Sequence, residues 1–124
     1  MSNLIIDNNG TKRWFNGEGK LHRIDGPALE GCGGDKHWYV NGKRHRLDGP
    51  AFEDVSGTKE WWDNDRLHRL DGPAIEQHDG DKFWYVDYRQ LSGPLDLLEY
   101  GTKLEDIAEW LTPREIANVR DSKC

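Results

Sequence analysis

The segment His22-Arg23-Ile24-Asp25-Gly26-Pro27-Ala28 returns as His45-Arg46-Leu47-Asp48-Gly49-Pro50-Ala51 and again as His68-Arg69-Leu70-Asp71-Gly72-Pro73-Ala74, each time 23 residues on. A second column, Lys-x-Trp, runs through Lys12/Trp14, Lys36/Trp38, Lys59/Trp61 and Lys82/Trp84. A third is the acid after the Pro-Ala step: Glu30, Glu53 and Glu76. Three columns in register at one period define a tandem repeat. Such a unit buries little alone and gains its stability by stacking on its neighbours. The fourth copy, Leu91-Ser92-Gly93-Pro94-Leu95, keeps Gly-Pro but loses the His-Arg pair and the Asp. Decay of this kind is common in terminal repeats.

Each unit reads as two short strands and two turns. Runs such as Trp38-Tyr39-Val40 and Trp61-Trp62 have the aromatic and β-branched content of strands. Strand alternation sorts Trp14, Trp38, Trp61 and Trp84 to one face and Phe15, Tyr39, Trp62 and Tyr85 to the other. Two aromatic faces imply that the sheet is at least partly covered on each side. Glu30 and Lys36, Glu53 and Lys59, and Glu76 and Lys82 share one spacing, which predicts a cross-strand ion pair in each hairpin and places Ala28 opposite Trp38. Gly31–Gly34, Ser56-Gly57, Asp79-Gly80 and the Asn16-Gly17 and Asn41-Gly42 steps supply the turns.

After Pro94 the apolar period lengthens to that of a helix. Pro94–Tyr100 reads as a short helix stopped by Gly101. Thr102-Lys103-Leu104-Glu105 matches a capping box, and Leu104, Ile107, Ala108 and Leu111 follow on one face. Thr112-Pro113-Arg114-Glu115 is a second box, opening a helix to about Arg120 with Ile116 and Val119 inward. The expected fold is therefore mainly β: an antiparallel meander of four β-hairpin repeats over 1–93, with a short C-terminal helical cap over 94–124 packed on it as part of one domain.

The 124 residues leave no room for a second enzyme-sized core. With 17 basic and 23 acidic side chains the net charge is −6, which argues against a general grip on phosphate backbones. The tail is the more acidic part, with 7 acids and 4 bases in 94–124 against 16 and 13 in 1–93. No run approaches the ~20 apolar residues of a membrane helix, and residues 1–9 lack the basic start and apolar run of a signal peptide. Cys32 and Cys124 form neither a disulfide framework nor a zinc signature. These features together predict a cytoplasmic protein.

Three copies of His, Arg and Asp raise the question of catalysis or metal binding. Equivalent residues of neighbouring hairpin units lie about 9–10 Å apart, twice the strand spacing. Zinc needs ligands at ~2.0–2.3 Å, so His22, His45 and His68 cannot share one ion. The structural reading is that Asp25, Asp48 and Asp71 close the turn before Gly-Pro with Asx bonds. Arg23, Arg46 and Arg69 then pair with carboxylates, and the histidines pack on aromatic neighbours. No phosphate-cradling loop and no nucleophile–base pair within a unit is present. A motif repeated three times builds a scaffold rather than the single asymmetric constellation of an active site. No enzyme, cofactor or metal is expected.

These features fit a binding module. Tyr39, Trp62, Tyr85 and Trp110 are the candidate partner-binding side chains, since aromatic residues are enriched at contact hot spots. An alternative is a small ligand of nucleotide type, stacked on an aromatic ring and met by Arg23, Arg46 or Arg69 beside His22, His45 and His68. Mimicry of nucleic-acid charge ranks last, because the acids are interspersed with Lys and Arg. An exposed sheet edge within residues 1–9 offers a route to homo-oligomers.

The units of about 23 residues, with Trp38-Tyr39-Val40-Asn41-Gly42-Lys43 followed by Gly49-Pro50, resemble the MORN repeat and its bacterial variants over roughly residues 10–95. The His-Arg-x-Asp-Gly-Pro-Ala form departs from the usual MORN pattern and is similar to repeats of uncharacterised bacteriophage and giant-virus proteins. The resemblance implies an elongated sheet used for protein contacts. It points to a phage accessory protein that binds a host protein, for instance one of defence, in the host cytoplasm. The acidic balance speaks against the lipid contacts that some MORN arrays make.

Overall fold

The computed structural model describes residues 3–121. The chain is a mainly β, antiparallel meander closed by short helices. The first hairpin is β1 (Asn3–Ile6) and β2 (Lys12–Phe15). The second unit is β3 (Leu29–Glu30), β4 (Lys36–His37), β5 (Tyr39–Val40) and β6 (Lys43–Arg44). The third is β7 (Phe52–Glu53), β8 (Lys59–Glu60), β9 (Trp62–Asp63) and β10 (Arg66–Leu67). The fourth is β11 (Ile75–Glu76), β12 (Lys82–Phe83), β13 (Tyr85–Val86) and β14 (Arg89–Gln90). The main sheet has eight strands in the order β1-β2-β3-β4-β7-β8-β11-β12, and each unit after the first adds a two-stranded outer hairpin: β5-β6, β9-β10 and β13-β14.

Three of the expected strands are broken at their tryptophan, while Trp14 stays within β2. Trp38, Trp61 and Trp84 fall between a main-sheet strand and an outer-hairpin strand, so the chain leaves one ladder and enters the next there. The break does not cost the Trp N–H its bond. Trp14, Trp38 and Trp61 donate to the carbonyls of Ala28, Ala51 and Ala74 at 2.8, 2.7 and 2.7 Å. Those alanines are fully buried. Both aromatic columns, Trp14 to Trp84 and Phe15 to Tyr85, are half-buried throughout.

The hairpin register is the expected one, with Glu30 opposite Lys36, Glu53 opposite Lys59 and Glu76 opposite Lys82. The expected ion pairs across it do not form. Glu30, Glu53 and Glu76 instead pair with Arg23, Arg46 and Arg69 at 3.2, 3.1 and 3.0 Å. The guanidinium wins because it is planar and held in place by other bonds, whereas the lysines lie on exposed positions.

Two kinds of turn recur. The main-sheet hairpins close through loops in which the fourth residue is a glycine at positive φ, Gly10, Gly34, Gly57 and Gly80, and the turn before the Phe15–Leu21 bridge has the same form with Gly19. Asn16-Gly17 belongs to this class rather than to the tight Asn-Gly class, since Gly19 takes the left-handed conformation and the Asn16 side chain accepts from the N–H groups of Glu18 and Lys20. The outer hairpins use two-residue turns with both residues left-handed: Asn41-Gly42, Asn64-Asp65 and Asp87-Tyr88.

The end of the chain forms a 3₁₀ helix at Pro94–Tyr100, α1 (Leu104–Ile107), a 3₁₀ turn at Ala108–Trp110 and α2 (Pro113–Asp121). Gly101 ends the first at φ 90°. The first expected capping box is not made, because the Thr102 hydroxyl donates to the Leu70 carbonyl at 2.6 Å and ties the cap to the third motif. The second is made in full: Thr112 N–H donates to Glu115 and Glu115 N–H to the Thr112 hydroxyl, at 2.9 and 3.1 Å. Val86, Leu97 and Ile107 form the hydrophobic centre, with Trp84, Leu91, Leu98, Trp110 and Leu111 packed against it. No helix among the described residues is long and apolar enough to cross a membrane. Cys124 lies outside the described residues.

Candidate interaction grooves

The recurring motif builds a clamp. The Arg23 guanidinium lies over the Trp14 ring, 3.9 Å from its centroid; Arg46 lies over Trp38 at 4.0 Å and Arg69 over Trp61 at 3.9 Å. Such stacks contribute ~0.5–2 kcal/mol according to how far they are desolvated. Arg46 also donates to Asp48, to the Pro50 carbonyl and to Glu53, at 3.0, 3.0 and 3.1 Å, and Arg23 and Arg69 repeat all three bonds. The aspartates therefore orient the arginines instead of closing Asx turns. The motif glycine follows from the same packing: a Cβ on Gly49 would sit 2.9 Å from the Arg46 guanidinium carbon.

The histidines join consecutive units. Nδ1 of His22, His45 and His68 accepts the backbone N–H of Asn41, Asn64 and Asp87, at 3.0, 3.2 and 3.2 Å, each the first turn residue of the next outer hairpin. They do not pack on aromatic rings as expected. A hydrogen bond takes the place because the unit spacing brings an unpaired N–H to each ring. Backbone bonds reinforce the joint, Arg23 N–H to Tyr39, Arg46 to Trp62 and Arg69 to Tyr85. Among the described residues no three His, Cys, Asp or Glu side chains gather as a metal group requires.

Between successive motifs lie open grooves. The first holds about 800 Å³ and runs between Arg23–Gly26 and His45–Asp48, with Trp38 and Val40 as its other wall. The second, about 570 Å³, repeats it 23 residues on: Arg46–Gly49, His68–Asp71, Trp61 and, where the first has Val40, Asp63, with Trp62 added. Volumes of this order are those of ligand and peptide sites. Ile24 and Leu47, which rim the grooves, are 77% and 86% exposed. The signal for them in the sequence is an apolar residue recurring inside a polar turn motif.

The aromatic candidates are distributed unevenly. Trp62 lines the second groove. Tyr39 accepts from the Arg44 side chain at 3.1 Å, and Tyr85 is half-buried on the outer hairpin. Trp110 is engaged within the cap, 5.6 Å from the Arg69 guanidinium carbon. Three aspartates titrate below the ordinary range: Asp7 through the hydrogen bond from Arg13, Asp54 through that from Ser56 and Asp96 through that from Ser92. All three stabilise loops and none lines a groove. No protein-family model, no curated protein and no solved structure matches the chain.

Proposed function

We propose that the chain is a non-enzymatic protein-binding module, a MORN-like repeat array that engages a host protein on behalf of a phage and inhibits or redirects it. The observation that carries this reading is the pair of equivalent open grooves with exposed apolar rims at Ile24 and Leu47. Apolar side chains held out on the turns between strands gain by being covered, and a wall of Trp38 or Trp61 supplies the aromatic contact that binding hot spots favour. The resemblance to MORN repeats supports a contact scaffold, and the phage origin rests on that resemblance alone.

The small-ligand alternative asks the arginines to meet a phosphate. Their Nε and Nη1 donors are already given to two carboxylates and a carbonyl, and the guanidinium itself takes one face of the neighbouring indole. That commitment favours the protein-binding reading.

The test is a tagged pull-down from candidate bacterial host lysate with the natural chain and with Leu47→Glu, which charges both grooves at an exposed position. A stoichiometric partner held by the natural chain and lost from the variant is the expected result. Equal capture by both, or no capture by either, overturns the reading.

A further inference from the structure

Resting on the protein-binding reading, we infer the kind of segment the first groove takes: a short apolar helical turn presenting a tryptophan beside Leu or Ile. The chain contains its own example. A third groove, another 23 residues on, would lie between Arg69–Gly72 and the Trp84–Val86 wall, and it is not open. The C-terminal cap fills it.

The equivalence is structural as well as arithmetical. Leu91 stands in the histidine position, and its N–H donates to Trp84 as those of His45 and His68 donate to Trp38 and Trp61. Trp110 lies against Gly72 and beside Arg69, which correspond to Gly26 and Arg23 of the first groove. Ile107 and Leu97 pack on Val86, which corresponds to Val40. Exposure at the rim records the filling: Ile24 is 77% and Leu47 86% exposed, and Leu70 falls to 41%. Gly72 and Pro73 are buried, while their counterparts in the first two motifs are only half-buried.

Of the two open grooves, the first matches the filled one better. Val40 repeats the apolar Val86, and the second groove has Asp63 there. In the cap, the filling residues Ile107, Trp110 and Leu111 span the end of α1 and the 3₁₀ turn Ala108–Trp110, with Leu111 extended just after it. A partner segment with that pattern meets in the first groove the same Trp, Val, Gly and Arg surfaces that Trp110 and Ile107 meet in the third. The far wall differs throughout: His45-Arg46-Leu47-Asp48 stand where the cap side has Leu91-Ser92-Gly93-Pro94, so the rim there is more polar and charged than in the cap.

The experiment is an NMR titration of the full, isotope-labelled chain with a blocked synthetic peptide copying residues 102–112. Saturable shifts are expected at Ile24, Val40, Leu47 and the Trp38 indole, with a Kd below about 1 mM, the weak range open to a short peptide that must order on binding. Gly72 and Val86 stay unmoved. Replacing the peptide's tryptophan by alanine, or Ile24→Glu in the chain, weakens binding at least about tenfold. An unchanged thermal melt for Ile24→Glu shows that the exposed substitution leaves the fold intact. The inference is overturned if shifts do not saturate, if they centre on Gly72 and Val86, or if they survive Ile24→Glu. A partner captured in a Leu47-dependent way while the peptide fails leaves the protein-binding reading standing and removes the tryptophan-bearing turn as occupant.

Discussion

Gly72 meets Trp110 so closely that a Cβ on the glycine would lie 2.8 Å from Cη2 of the ring and 2.6 Å from the guanidinium carbon of Arg69. Neither neighbour moves easily, since the arginine is held by three bonds and the indole belongs to the cap. Gly72→Ala is therefore expected to cost about 1–3 kcal/mol, as overpacking does. Gly26→Ala, whose Cβ meets only Arg23 at 3.0 Å, costs less. Urea denaturation followed by circular dichroism ranks the two, and equal losses would show that the cap does not press on the third motif.

Arg46→Lys is not conservative here. Lysine cannot reproduce the planar stack on Trp38 together with bonds to Asp48, the Pro50 carbonyl and Glu53. A loss of about 1–2 kcal/mol is expected. A double-mutant cycle with Glu53→Gln measures the ion-pair share, and a coupling near zero would assign the loss to the stack alone.

Tyr88 carries its side chain at φ 72°, in the left-handed region, where it donates a hydrogen bond to the Asp65 carbonyl and sets its ring edge-on to Trp62 at 6.3 Å. Tyr88→Ala loses both contacts and keeps the backbone strain, whereas Tyr88→Gly loses them and relieves it. The glycine variant should be the more stable of the two by about 1 kcal/mol. Identical melting would mean that the turn relaxes around alanine.

Asp96 accepts from the Ser92 hydroxyl and N–H at 2.7 and 3.0 Å, which holds its carboxyl below the ordinary value of 3.8. A pKa lower in the folded than in the unfolded chain gives stability that is present above the ordinary value. That stability is lost as pH falls through the folded value. Asp7 and Asp54 act in the same direction. Denaturation midpoints measured between about pH 5 and pH 2 should fall less steeply for Asp96→Asn than for the natural chain. Added salt should change the difference little if hydrogen bonding is its cause.

Much of this architecture is legible in the residues because the period is. The register of Glu30 with Lys36 follows from spacing alone, as do the left-handed Asn41-Gly42 turn and the Thr112–Glu115 box. Partner choice is not. Spacing put Glu30 beside Lys36, but only the fold brings Arg23 within 3.2 Å of it from seven residues earlier. The histidine bonds were hidden for a related reason, since Asn41 is nineteen positions from His22 in the chain. The degenerate fourth motif becomes intelligible only with the cap in place: Leu91 faces apolar helices where His68 faces a backbone N–H. The grooves are not legible in the motif, because they lie between units and a motif shows only what lies inside one.

Every interior unit is bonded to the next by the same contacts: the His45 ring to Asn64 N–H, and Arg46 N–H to the Trp62 carbonyl. None of these depends on the cap or on β1. One more 23-residue copy inserted between the second and third units would meet a suitable neighbour on each side and would bring its own groove. The number of units is thus a valency. A target displaying its docking segment more than once would be held by avidity rather than by any single contact, and lengthening or shortening the array would tune residence time without altering one residue of the groove.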